Sequence, residues 1–275
     1  MKKILLSLTA LALLIACSGD DNTPGTATEP QLVRMLQTSY NNGVIDGKSI
    51  IEINDSKLLK ISYYNAQYIP GGYDTIFYNS NGLASAIKGF SVNNELRTES
   101  NYFYDTQGRI SHYNIRDGSY LSTTTNTFNS NHTITAVTTD AHYTNSKTYF
   151  TNSDNLIWKE TAEFNTYEVV YSGLNGISGQ GNYYTKTFEY LDVPLPPANY
   201  NLWSKIFGSY KANTVLAANI LGGNEYAYAT KYIKKRTDGD RVVEYRYIFN
   251  DNQLPLKVTE YFNGVLNYET EYIYE

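Results

Sequence analysis

Residues Asn101 to Arg116 read NYFYDTQGRISHYNIR: an aromatic strand, a tight turn over Asp105-Thr106-Gln107-Gly108, and a second strand. Asp opens the turn through its side-chain acceptor, and Gly108 supplies the residue that tolerates positive φ. The same unit recurs along the chain, with an aromatic residue or Ile before the turn and Leu, Ile or Thr after it. Copies run Ile53-Asn54 to Leu58, Tyr78-Asn79 to Leu83, Phe128-Asn129 to Ile134, Phe150-Thr151 to Leu156, Tyr171-Ser172 to Ile177 and Phe249-Asn250 to Leu254. The first six units lie 21 to 26 residues apart, the length of two strands and two turns. Strand and turn signals spaced this evenly, without helical patterns between them, predict an all-β antiparallel up-and-down meander.

Composition agrees with that reading. The 275 residues hold 28 Tyr against 10 Phe and 2 Trp, so the buried layer must be partly phenolic. A Tyr ring covers apolar area while its hydroxyl seeks a partner or water, which suits a pleated, half-wet surface. The tail shows the alternation most clearly. Asp238-Gly239 and Asn263-Gly264 are hairpin turns. In RVVEYRYIF, Val243, Tyr245, Tyr247 and Phe249 share one face and Val242, Glu244, Arg246 and Ile248 the other. In the last strand Leu266, Tyr268, Thr270, Tyr272 and Tyr274 oppose Asn267, Glu269, Glu271, Ile273 and Glu275.

Two segments depart from this pattern. Between Asn114 and Thr148 apolar content falls and Thr and Asn dominate, so both strand faces are expected to be wet; Thr is a strand former, and order is favoured over disorder. Asp192 to Asn213 breaks the meander: Pro194, Pro196 and Pro197 end a strand. Leu202, Trp203, Ile206, Phe207 and Tyr210 then form one apolar stripe at helical period, predicting a short helix near residues 199–208. That helix is either a lid on the sheet or a crossover burying Trp203 and Phe207.

The N-terminus carries an address. Lys2-Lys3, an apolar run from Ile4 to Ile15, and Leu14-Ile15-Ala16-Cys17 make a secretory signal ending in a bacterial lipobox. The run is too short to span a bilayer. Residues 1–16 are expected to be removed, leaving Cys17 to carry acyl chains, palmitate among them. Each buried acyl methylene contributes about 0.8 kcal/mol to membrane attachment. Residues 17–30 form a flexible acidic tether with Asp20-Asp21 just past the cysteine, and 31–275 a single domain. Cys17 is the one cysteine, so no disulfide can form within the chain.

Chemistry-bearing motifs are sparse. Loss of Lys2 and Lys3 leaves 20 basic and 27 acidic residues, 20 − 27 = −7, and that balance disfavours a nucleic-acid partner. The Lys234-Lys235-Arg236 triplet reads as a solvated hairpin edge. His112, His132 and His142 show no metal-ligand spacing, and no phosphate cradle or nucleophile elbow follows a strand, so no metal or cofactor is expected. Glu244, Glu260, Glu269 and Glu271 could in principle supply paired carboxylates for glycoside chemistry, but they fall on the face where charge normally meets water. Tyr245, Tyr247, Tyr268, Tyr272 and Trp203 are the candidate ligand platform, since aromatic faces stack on sugars or hold apolar groups. Burial in a core is the competing reading for each.

The unit NYFYDTQGRISHY resembles one copy of the YD repeat of secreted repeat proteins. The whole of Gln31 to Glu275 resembles a family of uncharacterised Bacteroidetes lipoproteins with a porin-like fold: lipobox, acidic tether, aromatic-turn-strand meander and Tyr-rich last hairpin. The acidic pair after Cys17 is similar to their surface-export signal, which implies the outer face of the outer membrane. The resemblance implies a meander closing into a porin-like barrel of about 12–16 strands, and closure removes two unpaired sheet edges. It brings no site residues. The expected function is a monomeric, lipid-anchored, non-enzymatic envelope module binding a glycan or lipid-like ligand. A structural or adhesive surface protein and a hydrolase are the alternatives.

Overall fold

A computed structural model describes residues 30–55, 57–163, 165–182, 185–194, 211–213, 216 and 229–275. The signal segment, Cys17, nearly all of the tether, the helix near 199–208 and Trp203 lie outside the described residues. In chain order the strands are β1 (Leu32–Asn41), β2 (Val44–Asn54), β3 (Lys57–Asn65), β4 (Pro70–Tyr78), β5 (Ala84–Phe90), β6 (Leu96–Tyr104), β7 (Ile110–Asp117), β8 (Tyr120–Phe128) and β9 (Thr133–Thr139). They continue as β10 (Thr144–Thr151), β11 (Ile157–Ala162), β12 (Asn165–Ser172), β13 (Asn175–Gly181), β14 (Thr185–Pro194), β15 (Lys231–Asp238), β16 (Arg241–Phe249), β17 (Pro255–Phe262) and β18 (Val265–Tyr274).

Each strand pairs antiparallel with its sequence neighbour, and β18 pairs back onto β1 from Leu32↔Tyr274 to Ser39↔Tyr268. The result is a closed up-and-down β-barrel of 18 strands. That exceeds the 12–16 expected. Two-residue turns at Asn42-Gly43 and Gly118-Ser119 add hairpins beyond those expected, with Asn42 (φ 51°), Gly43 (φ 79°) and Gly118 (φ 60°) left-handed.

Up-and-down connectivity sends alternate turns to opposite ends. All the aromatic-turn units fall at one end, called lower here, where Gln31 and Glu275 also exchange backbone hydrogen bonds. Four of these turns share one chemistry. Asn79, Asp105, Asn152 and Asn250 each accept two backbone N–H bonds through Oδ1, from the residues two and four positions on. The fourth turn residue is left-handed: Gly82 (φ 74°), Gly108 (φ 71°), Asn155 (φ 59°) and Gln253 (φ 60°). Asn tolerates that region better than most side chains, so only two of these positions require glycine's freedom of φ.

After six of the seven aromatic-turn units one residue bulges out of register: Leu59, Ser85, Ser111, Trp158, Ile177 and Leu256 are skipped in the pairing, and Lys234 likewise in β15, while β8 and β9 stay in register. A bulge leaves the preceding carbonyl without its ladder partner. Tyrosines supply the missing donor. Tyr78, Tyr104, Tyr171, Tyr190, Tyr247 and Tyr274 donate to the carbonyls of Leu58, Ala84, Ile157, Gly176, Ile233 and Pro255, at 2.7–3.0 Å. On β8 the corresponding aromatic is Phe128, which has no hydroxyl, and Asn126 Nδ2 instead donates to Ile110 O at 2.9 Å. Six of the 28 tyrosines are thus tied to bulges, each phenol serving one carbonyl.

Strand alternation divides the inner from the outer face. Inward residues near the lower end form the buried clusters: Leu32, Met35, Ile51, Ile53, Ile61, Tyr102, Tyr232 and Tyr272 in one, and Ile134, Tyr149 and Ile157 in the other. The link between β14 and β15 enters this core. Its helical residues Ala212, Asn213 and Leu216 are 0%, 0% and 1% exposed. Asn213 Oδ1 accepts from Ile110 N at 2.9 Å, and its Nδ2 donates to Gly108 O at 2.7 Å. The lower end of the barrel is therefore filled. On the outer face charged side chains pair across neighbouring strands: Lys88 with Glu99 at 2.8 Å, Lys159 with Glu168 at 2.6 Å and Lys257 with Glu269 at 2.6 Å. A lipid-facing barrel needs an outward apolar band about 25 Å tall; these pairs interrupt one at mid-strand.

Candidate functional site

Toward the upper end the inward positions change character, and a cavity of about 250 Å³ opens there, roughly the volume of eight liquid waters. It is built by four consecutive strands, β7 to β10, which are the Thr- and Asn-rich stretch of the sequence. Inward residues of β7 and β8 (Tyr113, Ile115, Tyr120, Ser122, Thr124, Asn126) face those of β9 and β10 (Ala136, Thr138, Asn145, Lys147, Tyr149). Leu216 from the buried link completes the lining, and Tyr143 stands in the β9–β10 turn. Thr124 and Thr138 share a hydrogen bond at 2.8 Å across β8 and β9. Lys147 donates to Glu160 of β11 at 2.7 Å, so the ammonium in this wall is balanced by a carboxylate. Tyr120 donates to Asp140 at 3.2 Å, and with Tyr143 it forms a lip that is 43% and 54% exposed.

Two further carboxyls face inward, one half-buried and one buried. Tyr63 donates to Asp74 at 2.7 Å; burial pushes the Asp74 carboxyl up, opposed by that hydrogen bond. Glu260 of β17 is 4% exposed and accepts from Asn267 Nδ2 at 2.5 Å. Burial pushes its carboxyl above the usual range, against the hydrogen bonds of Asn267 and Tyr245 and the nearby Arg236 charge. Two sequence expectations need correction here. Against the expectation of a solvated carboxylate, Glu260 pairs with Tyr245 and Tyr268 on the inner face, whereas Glu244 and Glu269 lie outward as expected. Against the expectation that Leu266 shares the face of Tyr268, the register shifts between Glu260 and Tyr261, so Leu266 pairs with Tyr261 outside and Asn267 turns its amide in.

The raised Glu260 carboxyl carries a stability prediction. As pH rises from about 4.5, the unfolded chain ionises first and the native state holds the extra proton, so Glu260 lowers stability progressively until its folded value is passed. Glu260→Gln should remove that decline, so the difference between its thermal midpoint and the parent's should grow in favour of the variant as pH rises from 4 to 8. Hydrogen bonds from Lys88 and Lys257 hold Glu99 and Glu269 low, which takes stability away as pH falls. Those contributions are common to both proteins and cancel in the difference between their melting curves. A gap that is constant from pH 4 to pH 8 would contradict the assignment.

The proposed tyrosine platform is not gathered at the cavity. Tyr245 and Tyr272 are each 5% exposed within the main buried cluster, and Tyr247 packs against Tyr232 and Phe249 at 5.3 and 5.5 Å while capping Ile233 O. Tyr268 faces inward opposite Glu260. His112 is on the outer face, stacked on Phe103 at 4.1 Å. The cavity tyrosines Tyr113, Tyr120, Tyr143 and Tyr149 were passed over in the sequence reading, because the segment around them carries too little apolar contrast to reveal an inward row. One signal was present: Tyr120 and Tyr143 directly follow upper-end turns, whereas Tyr247 and Tyr272 sit near the lower ends of their strands.

Fold and cavity together define a class: a closed, up-and-down β-barrel with one end packed and a polar, tyrosine-walled cavity toward the other. No family model matches the chain, and no curated protein matches it. Among solved structures, the crystal structure of a porin-like protein from Bacteroides uniformis aligns with 89% of this chain and 98% of that one, at 10% identity and a TM-score of 0.31.

Proposed function

We propose that this protein is a lipid-anchored envelope barrel that binds a small ligand in its upper cavity and catalyses no reaction on it. The observation that carries this reading is the asymmetry of the barrel interior. Asn213, Leu216 and the lower aromatic core close one end, which argues for a receptacle over a through-channel. The lipobox at Cys17 supports membrane attachment, and the ion pairs along the outer strands argue against immersion of the barrel wall. Screening by thermal shift against glycans and lipids tests binding, and silence across both would count against the reading.

Attachment is tested separately. Cys17→Ser should leave the melting curve unchanged and move the protein from the membrane fraction to the soluble one, because the anchor is then the acyl chains alone. A mutant that still sediments with membranes would mean that the barrel itself is inserted. Replacing Asp20 and Asp21 with Ala should lower protease accessibility on intact cells if the acidic pair directs surface export.

An adhesive role is the second reading, and one feature favours it. Exposed apolar residues gather at the upper turns of six neighbouring hairpins: Phe262 and Val265, Val44 and Ile45, Tyr68 and Ile69, Val92 and Leu96, Tyr120 and Leu121, then Tyr143. Contiguous apolar rims mark contact surfaces. Recovery of a stoichiometric protein partner from envelope extracts, lost in Tyr68→Ser/Ile69→Ser, would favour this reading.

A further inference from the structure

We infer that the cavity between β7 and β10 takes an uncharged sugar, one or two rings of a neutral glycan, with the Tyr120–Tyr143 lip stacking on the next ring. The inference rests on the ligand-binding reading above and narrows it to one chemical class. Three features of the lining make the choice. The first is charge. Lys147 is the one ionisable ammonium in the wall, and Glu160 holds it at 2.7 Å, so an anionic ligand would have to displace a carboxylate already in place. The second is polarity. Ser122 and Thr124, 4% and 3% exposed, lie back in the wall, and Thr138 and Asn145 offer the cavity a hydroxyl and an amide, groups that both donate and accept. An acyl chain would remove them from water without replacing their hydrogen bonds, at a penalty of about 1–3 kcal/mol per group. A polyol restores those bonds. The third is shape. Tyr120 and Tyr143, 43% and 54% exposed, present aromatic surface at the mouth, and the buried Tyr113 and Tyr149 back the wall behind it. A pyranose ring has an apolar C–H face that lies on such surfaces and an equatorial girdle of hydroxyls that reaches the Thr and Asn side chains. The site meets both.

The ion pair gives the inference a test that a merely structural role would not pass. Glu160→Gln leaves Lys147 uncompensated, so the altered cavity should gain affinity for an acidic sugar while its affinity for the neutral one changes little.

The purified protein would be titrated calorimetrically with neutral disaccharides (maltose, cellobiose, lactose, mannobiose, diacetylchitobiose), with digalacturonic acid and with dodecanoate, after a neutral-glycan array has ranked the sugars. At least one neutral disaccharide should bind. Thr138→Val and Asn145→Leu should each weaken it by about tenfold, the upper end of what one lost hydrogen bond contributes. Thr138→Val is nearly isosteric, and Asn145→Leu carries the test if its melting curve falls. In Glu160→Gln, digalacturonic acid should bind at least severalfold better than it does to the parent. If only digalacturonic acid or dodecanoate binds the parent, and the cavity substitutions weaken it, the sugar assignment is overturned while the ligand-binding reading stands. Neutral binding that is unchanged by every cavity substitution overturns the location. Silence towards all probes overturns both readings.

Discussion

Asn213→Leu should lower the thermal midpoint by roughly 5–15 °C, although the substitution adds apolar volume to a buried site. The reason lies in the bulge at Ser111, which takes that residue out of the β6–β7 ladder and leaves both backbone groups of Ile110 facing the lumen. Asn126 satisfies the carbonyl and Asn213 the N–H, and the same Asn213 amide donates to Gly108 O. Leucine can make neither of Asn213's two bonds. Each buried backbone group left unsatisfied costs about 1–3 kcal/mol, so the sum is about 2–6 kcal/mol against a typical stability of roughly 5–15. At about 2–4 °C per kcal/mol for chains of this size the shift is large. Asn213→Asp keeps the acceptor and loses the donor, and should fall between the parent and the leucine variant. A midpoint within 2 °C of the parent for Asn213→Leu would show that the link does not lock into the lower end, and the closed-receptacle argument would fail with it.

Much of this architecture can be read from the chain because the lower-end unit is chemically explicit. An aromatic residue, an Asx acceptor, a left-handed fourth residue and an aliphatic restart together specify turn, bulge and carbonyl cap, and their spacing of two strands places every copy at the same end. The upper end has a less uniform grammar. Asp238-Gly239 and Asn263-Gly264 are explicit hairpin signals, and Asn42-Gly43 is of the same kind, but Gly118-Ser119 lies within the Thr- and Asn-rich stretch with less to mark it. The cavity is hidden for a related reason. Along β8, Ser122 and Thr124 face in and Thr123 and Thr125 face out, so inward and outward rows share one composition and the period of two carries no contrast. Tyrosine identity alone misleads in the same way. Tyr272 and Tyr120 both point inward, but one approaches the packed end and the other starts from the open one, and only the parity of the turn tells them apart. Glu260 eludes pattern reading because the register shift beside it turns in Asn267, the residue that makes its burial tolerable.

Tyr232→Ala should be the most damaging single truncation of the lower core among the described residues. Tyr232 is 0% exposed, sits between Tyr247 and Phe249 at ring distances of 5.3 and 5.1 Å, and donates to Gln253 O at 3.1 Å. Truncation opens a cavity in a cluster that a barrel closed by hydrogen bonds all round cannot collapse to fill. Large aromatic-to-Ala changes cost about 3–5 kcal/mol, which corresponds to a midpoint lower by roughly 6–20 °C. Tyr232→Phe separates the two contributions. It keeps the ring contacts and removes one hydrogen bond, so about 0.5–1.5 kcal/mol is expected from the hydroxyl alone. Tyr247→Phe removes the cap on Ile233 O, and because its ring touches Tyr232, the double Phe variant should depart measurably from additivity. Thermal melts followed by far-ultraviolet circular dichroism supply all four values, and ligand titration of Tyr232→Phe should match the parent, since β15 does not contribute to the cavity wall. If Tyr232→Ala melts within 1 kcal/mol of the parent, the lower cluster is not what holds the barrel shut, and the asymmetry between its two ends loses its energetic basis.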